Sequence, residues 1–376
     1  LAPALGARQT ARTPADPACA ALTTATADRC LRLNHLQLLG THNSYHVAPQ
    51  PPVLALFGTR ADGYAYTHRS LTHQLTTLGV RQFEIDVFAD PDGGRYASPA
   101  GLRLARGASD LERPGPEMAR PGFKVLHVQD LDFRTTCSTL DSCLREIHTW
   151  SRLHPRHVPV MVMIELKDGA LEDPDGVGYV RPVPFDRGQL DALDTAIRTV
   201  FDDHHLVTPD DVRGGRATLR EAIERDGWPR LHDVRGKVLF AMDNTDAHLD
   251  TYLDGHPALR GRVMFVSAPP GSPASAFLKL NDPGGDEQAR IASLVRAGYI
   301  VRTRADTPTI EARSGNTARR DQAFRSGAHF VSTDYPEPSP FGSGYVVRLP
   351  AAGARAARCN PVSAPAGCRD EWLESQ

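Results

Sequence analysis

The chain has 376 residues, with 43 Lys and Arg against 45 Asp and Glu, 40% apolar residues and 7% aromatic ones. A near-neutral balance without a basic run interleaved with aromatics speaks against a nucleic-acid partner. No stretch approaches the roughly 20 apolar residues of a membrane-spanning helix, and the length allows a sizeable core in one large domain or two ordinary ones.

Apolar runs of strand length bounded by turn signals recur along the chain. In order they are "HLQLLG" from 35, "VRQFEIDVF" from 80, "FKVLHVQD" from 123, "VPVMVMIEL" from 158, "KVLFAMDN" from 237, "RVMFVSAP" from 262, "GYIVRTRAD" from 298 and "AHFVSTDY" from 328. Segments of helical period separate most of them. "THRSLTHQLTTLG" places Leu71, Leu75 and Leu78 on one face, and "STLDSCLREIHTWSRLH", "DRGQLDALDTAIRTVFDDH", "DEQARIASLVRAG" and "TARRDQAFRSG" follow the same pattern. Strands alternating with helices imply parallel pairing through right-handed crossovers, and eight such units close into an irregular (β/α)8 TIM-type barrel. The expectation is one domain, 1–376, with a core of about 33–345, Gly/Pro-rich insertions at 89–122 and 168–187, and no helix within 241–261.

Cysteines at 19, 30, 137, 143, 359 and 368 form three close pairs without Cys-x-x-Cys spacing. That pattern favours local disulfides made in an oxidising compartment over a zinc site. Many connectivities are open, and nearest-neighbour pairing is the expectation. The tail after about 345 is rich in small residues and is expected to wrap the surface under its own disulfide. A start at "LAPALGARQT" without Met leads to the expectation of a secreted protein, and no Asn-x-Ser/Thr acceptor to that of an unglycosylated one; nothing in the sequence requires more than a monomer.

A barrel places its chemistry at the C-terminal ends of its strands. His42 and Asn43 follow the first run, and the second carries Glu84 and Asp86, two apart and so on one side. The third ends at His127, the fourth carries Glu165 and Lys167, and the fifth ends at Asp243. Arg302 and Arg304 lie in the seventh, and the eighth ends at Asp334-Tyr335. Only the sixth lacks a polar end.

Each piece alone has a plainer reading. His42-Asn43 suits a turn, Glu84-x-Asp86 a solvated strand face, His127 a core histidine and Glu165-x-Lys167 a surface ion pair. Arg302 and Arg304 suit structural salt bridges. Their convergence on one barrel face favours a site. Asn43, Glu84, Asp86 and Glu165 are hard oxygen donors, and crowded carboxylates need a cation. Calcium accepts six to eight oxygens in a tolerant geometry, magnesium prefers fewer protein ligands, and zinc prefers the histidines. Two histidines then remain to move protons, and Lys167, Arg302 and Arg304 suit a phosphate. This set describes phosphodiester cleavage.

"GTHNSY", "QLTTLGVRQFEIDVF", "VLH" and "VMIELK", in this order, resemble the catalytic X-box region of calcium-dependent phosphatidylinositol-specific phospholipase C, above all its secreted bacterial members. The resemblance implies that His42 and His127 are the catalytic pair and that Asn43, Glu84, Asp86 and Glu165 hold Ca2+. It implies cleavage of phosphatidylinositol at a membrane surface to diacylglycerol and a cyclic inositol phosphate. Lys167, Arg302, Arg304, Asp243 and Tyr335 are assigned to substrate by strand-end position alone. "FEIDVF" sets the chain apart from the metal-free branch, which uses an arginine in place of the acidic set. "PPVLALFG" at 51–58 is either a rim segment that meets lipid or a packed helix.

Two competing readings stand beside this one. Glycerophosphodiester phosphodiesterases and sphingomyelinase-D-like enzymes share the barrel but usually carry His-Arg where this chain has His42-Asn43. A calcium-dependent phosphoinositide-binding protein without catalysis would be free to lose a histidine, and both are present.

Overall fold

In this computed structural model, which describes residue 19 and residues 21–105, 110–350 and 355–374, the β-branched and aromatic runs become strands. They are β1 (Leu36–Thr41), β2 (Gln82–Phe88), β3 (Lys124–Val125), β4 (Val160–Leu166), β5 (Val238–Met242), β6 (Met264–Val266), β7 (Phe277–Lys279), β8 (Ile300–Arg304), β9 (Phe330–Thr333) and β10 (Ala357–Cys359). The main path runs β6-β5-β4-β2-β1-β9-β8-β7, and its neighbours pair in parallel. The two ends of the path, β6 and β7, share no ladder among the described residues, but the Lys279 N–H donates to Ser267 Oγ at 2.9 Å. The result is a nearly closed eight-stranded parallel barrel. Every residue of β2 is buried, as strands covered on both faces must be.

The barrel departs from the expected strand list at one place. The run from 123 is not a barrel strand. Only Lys124–Val125 is extended, and it pairs antiparallel with Val87 and Phe88 at the end of β2. Val128–Asp132 then folds into a tight turn in which the Asp132 N–H donates to the Val128 carbonyl at 2.9 Å. The barrel place is taken by β7, inside "AFLKLN", too short a run to stand out between Gly/Pro-rich loops.

The expected helices form at Leu71–Thr76, Leu140–Leu153, Arg187–Val200, Asp286–Arg296 and Ala318–Arg325. Ser70, Thr139 and Asp186 cap the first three by accepting from backbone N–H groups of the opening turn. A further helix, Asp246–Leu253, lies where none is expected; it buries only Leu249 and Tyr252, too few apolar residues to show a period.

One continuous apolar cluster joins the strands to their helices, from Ala27 to Leu373. Two satellites, Phe88/Tyr96/Met118/Leu126 and Val53/Ala105/Phe133, seat the insertion after β2. Disulfides 19–30, 137–143 and 359–368 match the nearest-neighbour expectation. The last of them staples β10, which pairs antiparallel with β1. The "LAPALGARQT" start and residues 351–354 of the tail lie outside the described residues. No helix of the described residues is long and apolar enough to cross a membrane.

Candidate active site

Register brings the strand-end residues together. Asp86 pairs directly with Glu165 across β2 and β4, and Thr41 pairs with Thr333 across β1 and β9. His42 and Asp334, one step beyond that pair, are therefore neighbours. Glu84 and Asp86, like Arg302 and Arg304, share a strand face, and Arg302 on β8 reaches across the barrel to ion-pair with Glu84 Oε2. Arg302 also bonds Asn281 and, at 3.1 Å, the Ser332 hydroxyl.

Asn43 sits in the turn after β1 with φ +43°, a left-handed conformation that Asn tolerates better than most residues. The next residue locks that turn to β2: the Ser44 N–H donates to the Glu84 carbonyl at 2.8 Å, and Ser44 Oγ accepts from the Glu84 N–H at 2.9 Å. Asn43 is thereby held beside Glu84.

The acidic part is short of positive charge. Oxygens of Glu84, Asp86 and Glu165 all lie within 4.8 Å of one another. Lys167 Nζ is 2.8 Å from Glu165 Oε1 and 3.1 Å from Asp86 Oδ2. The Asp86 contact is off the hydrogen-bonding directions, so neither Asp86 oxygen has a donor, and the buried Asn43 Oδ1 has none either. Burial pushes Glu84 up to about 7 against the pull of Arg302, and raises Asp86 well above the carboxylate range against Lys167. At Glu165 burial again acts upward, but Lys167, His127 and Lys279 together outweigh it and the net shift is downward. Three carboxylates, two of them destabilised as anions, and an unpartnered amide oxygen fit a hard divalent cation of the calcium type.

Two histidine–aspartate pairs flank this cluster. His42 Nδ1 lies 2.8 Å from Asp334 Oδ1, and Arg304 donates to His42 Nε2 at 3.2 Å. A guanidinium only donates, so Nε2 carries the lone pair and Nδ1 the proton. Burial, then Arg304, hold the His42 imidazole well below its usual value despite Asp334. His127 Nδ1 lies 2.8 Å from Asp132 Oδ2, which takes a second bond from His46 Nε2 at 2.8 Å. Burial lowers His127 against the pull of Asp132.

His42, Asn43, Glu84, Asp86, Glu165, Lys167, Arg302 and Arg304 thus form one connected cluster. Asp243 joins it by a 2.5 Å ion pair with Lys279 Nζ and by the field it exerts on Glu84. Tyr335 is turned toward Phe341 and Tyr345, and its buried hydroxyl has no partner. Sequence reasoning did not single out Asp132, His46, Tyr66, Lys279 or Asn281. "HVQDLD" and a second histidine four positions after His42 were the signals for the first two; Lys279 and Asn281 went unseen with β7.

Against known families, residues 31–361 match the family described as Phosphoinositide phospholipase C, Ca2+-dependent. Among solved structures, the calcium-dependent phosphoinositol-specific phospholipase C of a Pseudomonas sp. in its apo form is similar, at 15% identity and a TM-score of 0.54, over 89% of this chain and 96% of that one. Its myoinositol complex matches at 16% identity and a TM-score of 0.53, over 86% and 95%. A Ca2+-dependent phosphatidylinositol-specific phospholipase C of Streptomyces antibioticus matches at 19% identity and a TM-score of 0.49, over 85% and 99%. No curated protein sequence matches the chain.

Proposed function

Because the chain belongs to the calcium-dependent phosphoinositide phospholipase C family, we propose that it cleaves phosphatidylinositol to diacylglycerol and a cyclic inositol phosphate. The observation that carries this reading is the convergence of three carboxylates and the Asn43 amide oxygen between two histidine–aspartate pairs. Calcium is the family's cofactor, and Asn43, Glu84, Asp86 and Glu165 would hold it. When bound it supplies positive charge that acidifies the attacking hydroxyl and neutralises phosphate oxygens.

The residues of the chain do the rest. His42, with its Nε2 lone pair free of a proton, accepts the proton of the inositol 2-hydroxyl as that oxygen bonds to phosphorus. The bond from phosphorus to the glycerol oxygen breaks, and His127, protonated at Nε2, gives its proton to the leaving diacylglycerol. Asp334 and Asp132 stabilise each imidazolium while it exists. Each proton transfer of this kind contributes roughly 10²–10⁴-fold in rate. Lys167, Arg302 and Arg304 orient the phosphodiester by charge, and Asp243 with Lys279 offers an acceptor and a donor to ring hydroxyls.

The mouth suits a bilayer substrate. Leu56, 39% exposed, and Ile310, 64% exposed, lie in the segments after β1 and β8, which the 2.8 Å ion pair between Asp62 and Arg313 joins. Three disulfides suit the oxidising environment outside a cell.

The test is phosphatidylinositol in mixed micelles, with calcium or with excess chelator, followed by phosphorus NMR. A cyclic phosphate signal that requires calcium supports internal attack. Intact lipid with calcium present sinks the reading, and glycerophosphodiesters and choline lipids would be tried next. Calcium-dependent binding of the intact lipid would favour a non-catalytic binding protein.

A further inference from the structure

The orientation of the Asn43 side chain is a problem the strand ends do not solve. A carboxamide holds a metal through oxygen, yet beside three carboxylates its NH2 is the end that the local field attracts. With no cation bound, the favourable arrangement would turn Nδ2 toward Asp86 and Glu84 and hide the oxygen. In the structure Nδ2 is not spent on the carboxylates. Asn43 Oδ1 is buried without a donor, and Nδ2 donates to the Tyr66 hydroxyl at 2.9 Å.

Tyr66 is itself firmly placed. It is 3% exposed, its ring stacks on His46 at 4.1 Å between centroids, and its neighbours are anchored on the loop after β1. Thr67 bridges to Val47, and the His68 N–H donates to the His46 carbonyl at 2.9 Å. The hydroxyl is therefore a fixed acceptor for a buried N–H that would otherwise lose its hydrogen bond.

We infer that Tyr66 is a positioning residue for the calcium site: by accepting the Asn43 Nδ2–H it keeps that N–H from the carboxylates and leaves Oδ1 free to ligate calcium. The inference rests on the assignment of Asn43 as a calcium ligand. Without the hydroxyl the amide N–H is left unpaired, which in a buried site costs enough to matter. The amide then turns to donate to the carboxylates, and calcium must reverse that turn in order to bind. Groups that orient metal ligands typically change metal affinity by roughly 10–100-fold when removed.

The experiment is isothermal titration of the full chain with calcium alone, in a double-mutant cycle between Tyr66→Phe and Asn43→Asp. Phe retains the ring that stacks on His46, and Asp tolerates the positive φ of position 43 while having no N–H to satisfy. Tyr66→Phe is expected to weaken calcium binding roughly tenfold or more in the Asn43 protein and to cause no loss in the Asn43→Asp background. An unchanged affinity in Tyr66→Phe overturns the inference, and so does an equal loss in both backgrounds, which would assign the hydroxyl a merely structural role. If the unsubstituted chain takes up no calcium, the metal assignment itself fails and this inference with it. If calcium binds and Asn43→Asp alters the affinity but Tyr66→Phe does not, only the inference about Tyr66 falls. Circular dichroism melting of each variant confirms that the comparison is between folded proteins.

Discussion

Nδ1 of His42 and Oδ1 of Asp334 lie 2.8 Å apart although 292 positions separate them in the chain. They meet because Thr41 and Thr333 are register partners at the ends of β1 and β9, and the His42 N–H continues that ladder to the Thr333 carbonyl. Burial acts to raise the Asp334 carboxyl, but His42 and Arg304 outweigh it and hold it well below the usual range. That field favours its anionic form.

Asp334→Asn removes that charge with little change of shape. The imidazole then loses the partner that fixes its tautomer and stabilises its protonated form. We expect kcat on phosphatidylinositol to fall by roughly 10²–10⁴-fold with the far-ultraviolet spectrum unchanged. Activity within a few-fold of the unsubstituted chain would remove His42 from the role of base.

The acid role proposed for His127 is separable from binding by the leaving group. His127→Ala should lose roughly 10²–10⁴-fold on phosphatidylinositol but far less on an inositol phosphodiester with a nitrophenol leaving group, which needs no proton. Equal losses on the two substrates would show that His127 does something other than protonate the leaving oxygen.

Asp86 carries two oxygens without hydrogen-bond donors in a fully buried position. Calcium should therefore raise the melting temperature, since a ligand at 100 times its Kd adds about 2.7 kcal/mol to stability. Asp86→Asn should abolish that rise yet leave the calcium-free protein at least as stable, because one of three crowded carboxylate charges is gone while Lys167 keeps its 2.8 Å pair with Glu165. Differential scanning calorimetry with calcium and with chelator measures both. A calcium-free protein strongly destabilised by the substitution would argue that Asp86 is a structural anion.

A buried neutral histidine far from the site makes stability depend on pH in a defined window. His329 accepts from the Val301 N–H through Nδ1 and donates through Nε2 to the Asn34 carbonyl, tying β8 to the segment before β1. Burial lowers its folded-state value to about 3, whereas the unfolded chain titrates near 6.5. The unfolded state therefore binds the extra proton below about pH 6.5, and stability falls as pH drops toward the folded value. The advantage of the native chain over His329→Gln should shrink by up to about 1.4 kcal/mol for each pH unit in that window. Urea titrations at pH 7.5 and 5.5 measure it; a constant difference would mean that the ring titrates alike in the folded and unfolded states, and a widening one that it is already charged in the fold.

The mouth can be tested apart from the chemistry. Leu56→Glu with Ile310→Glu should weaken activity on phosphatidylinositol vesicles and leave hydrolysis of a soluble inositol phosphate diester largely unchanged. Loss on both substrates would place the two side chains in the pocket rather than at a lipid surface.

Much of this was legible in the residues. Runs such as "RQFEIDVF" and "VMVMIEL" carry acidic residues toward their C-terminal ends, and periodicity alone places Glu84 with Asp86 and Arg302 with Arg304 on common faces. Where the period is too short to count, the reading fails. β7 spans only Phe277–Lys279, so Lys279 and Asn281 were lost with it. The apolar start of "FKVLHVQD" suggests a strand, but only two residues are extended before the backbone turns at Val128–Asp132, with Asp130 at φ +68°. Asp130 accepts from the Ala100 and Val180 N–H groups at 2.7 and 2.6 Å, and Asp132 holds His127.

The chain's linear order therefore determined the strand–helix alternation, the local cysteine pairs and the placing of ionisable residues toward strand ends, because each depends on spacings of a few residues. Which carboxylate steadies which histidine, that Arg302 crosses the barrel to Glu84, and that a tyrosine takes the Asn43 amide were decided only in three dimensions. Those contacts join residues up to 292 positions apart, and only strand register and barrel closure bring such residues within a hydrogen bond.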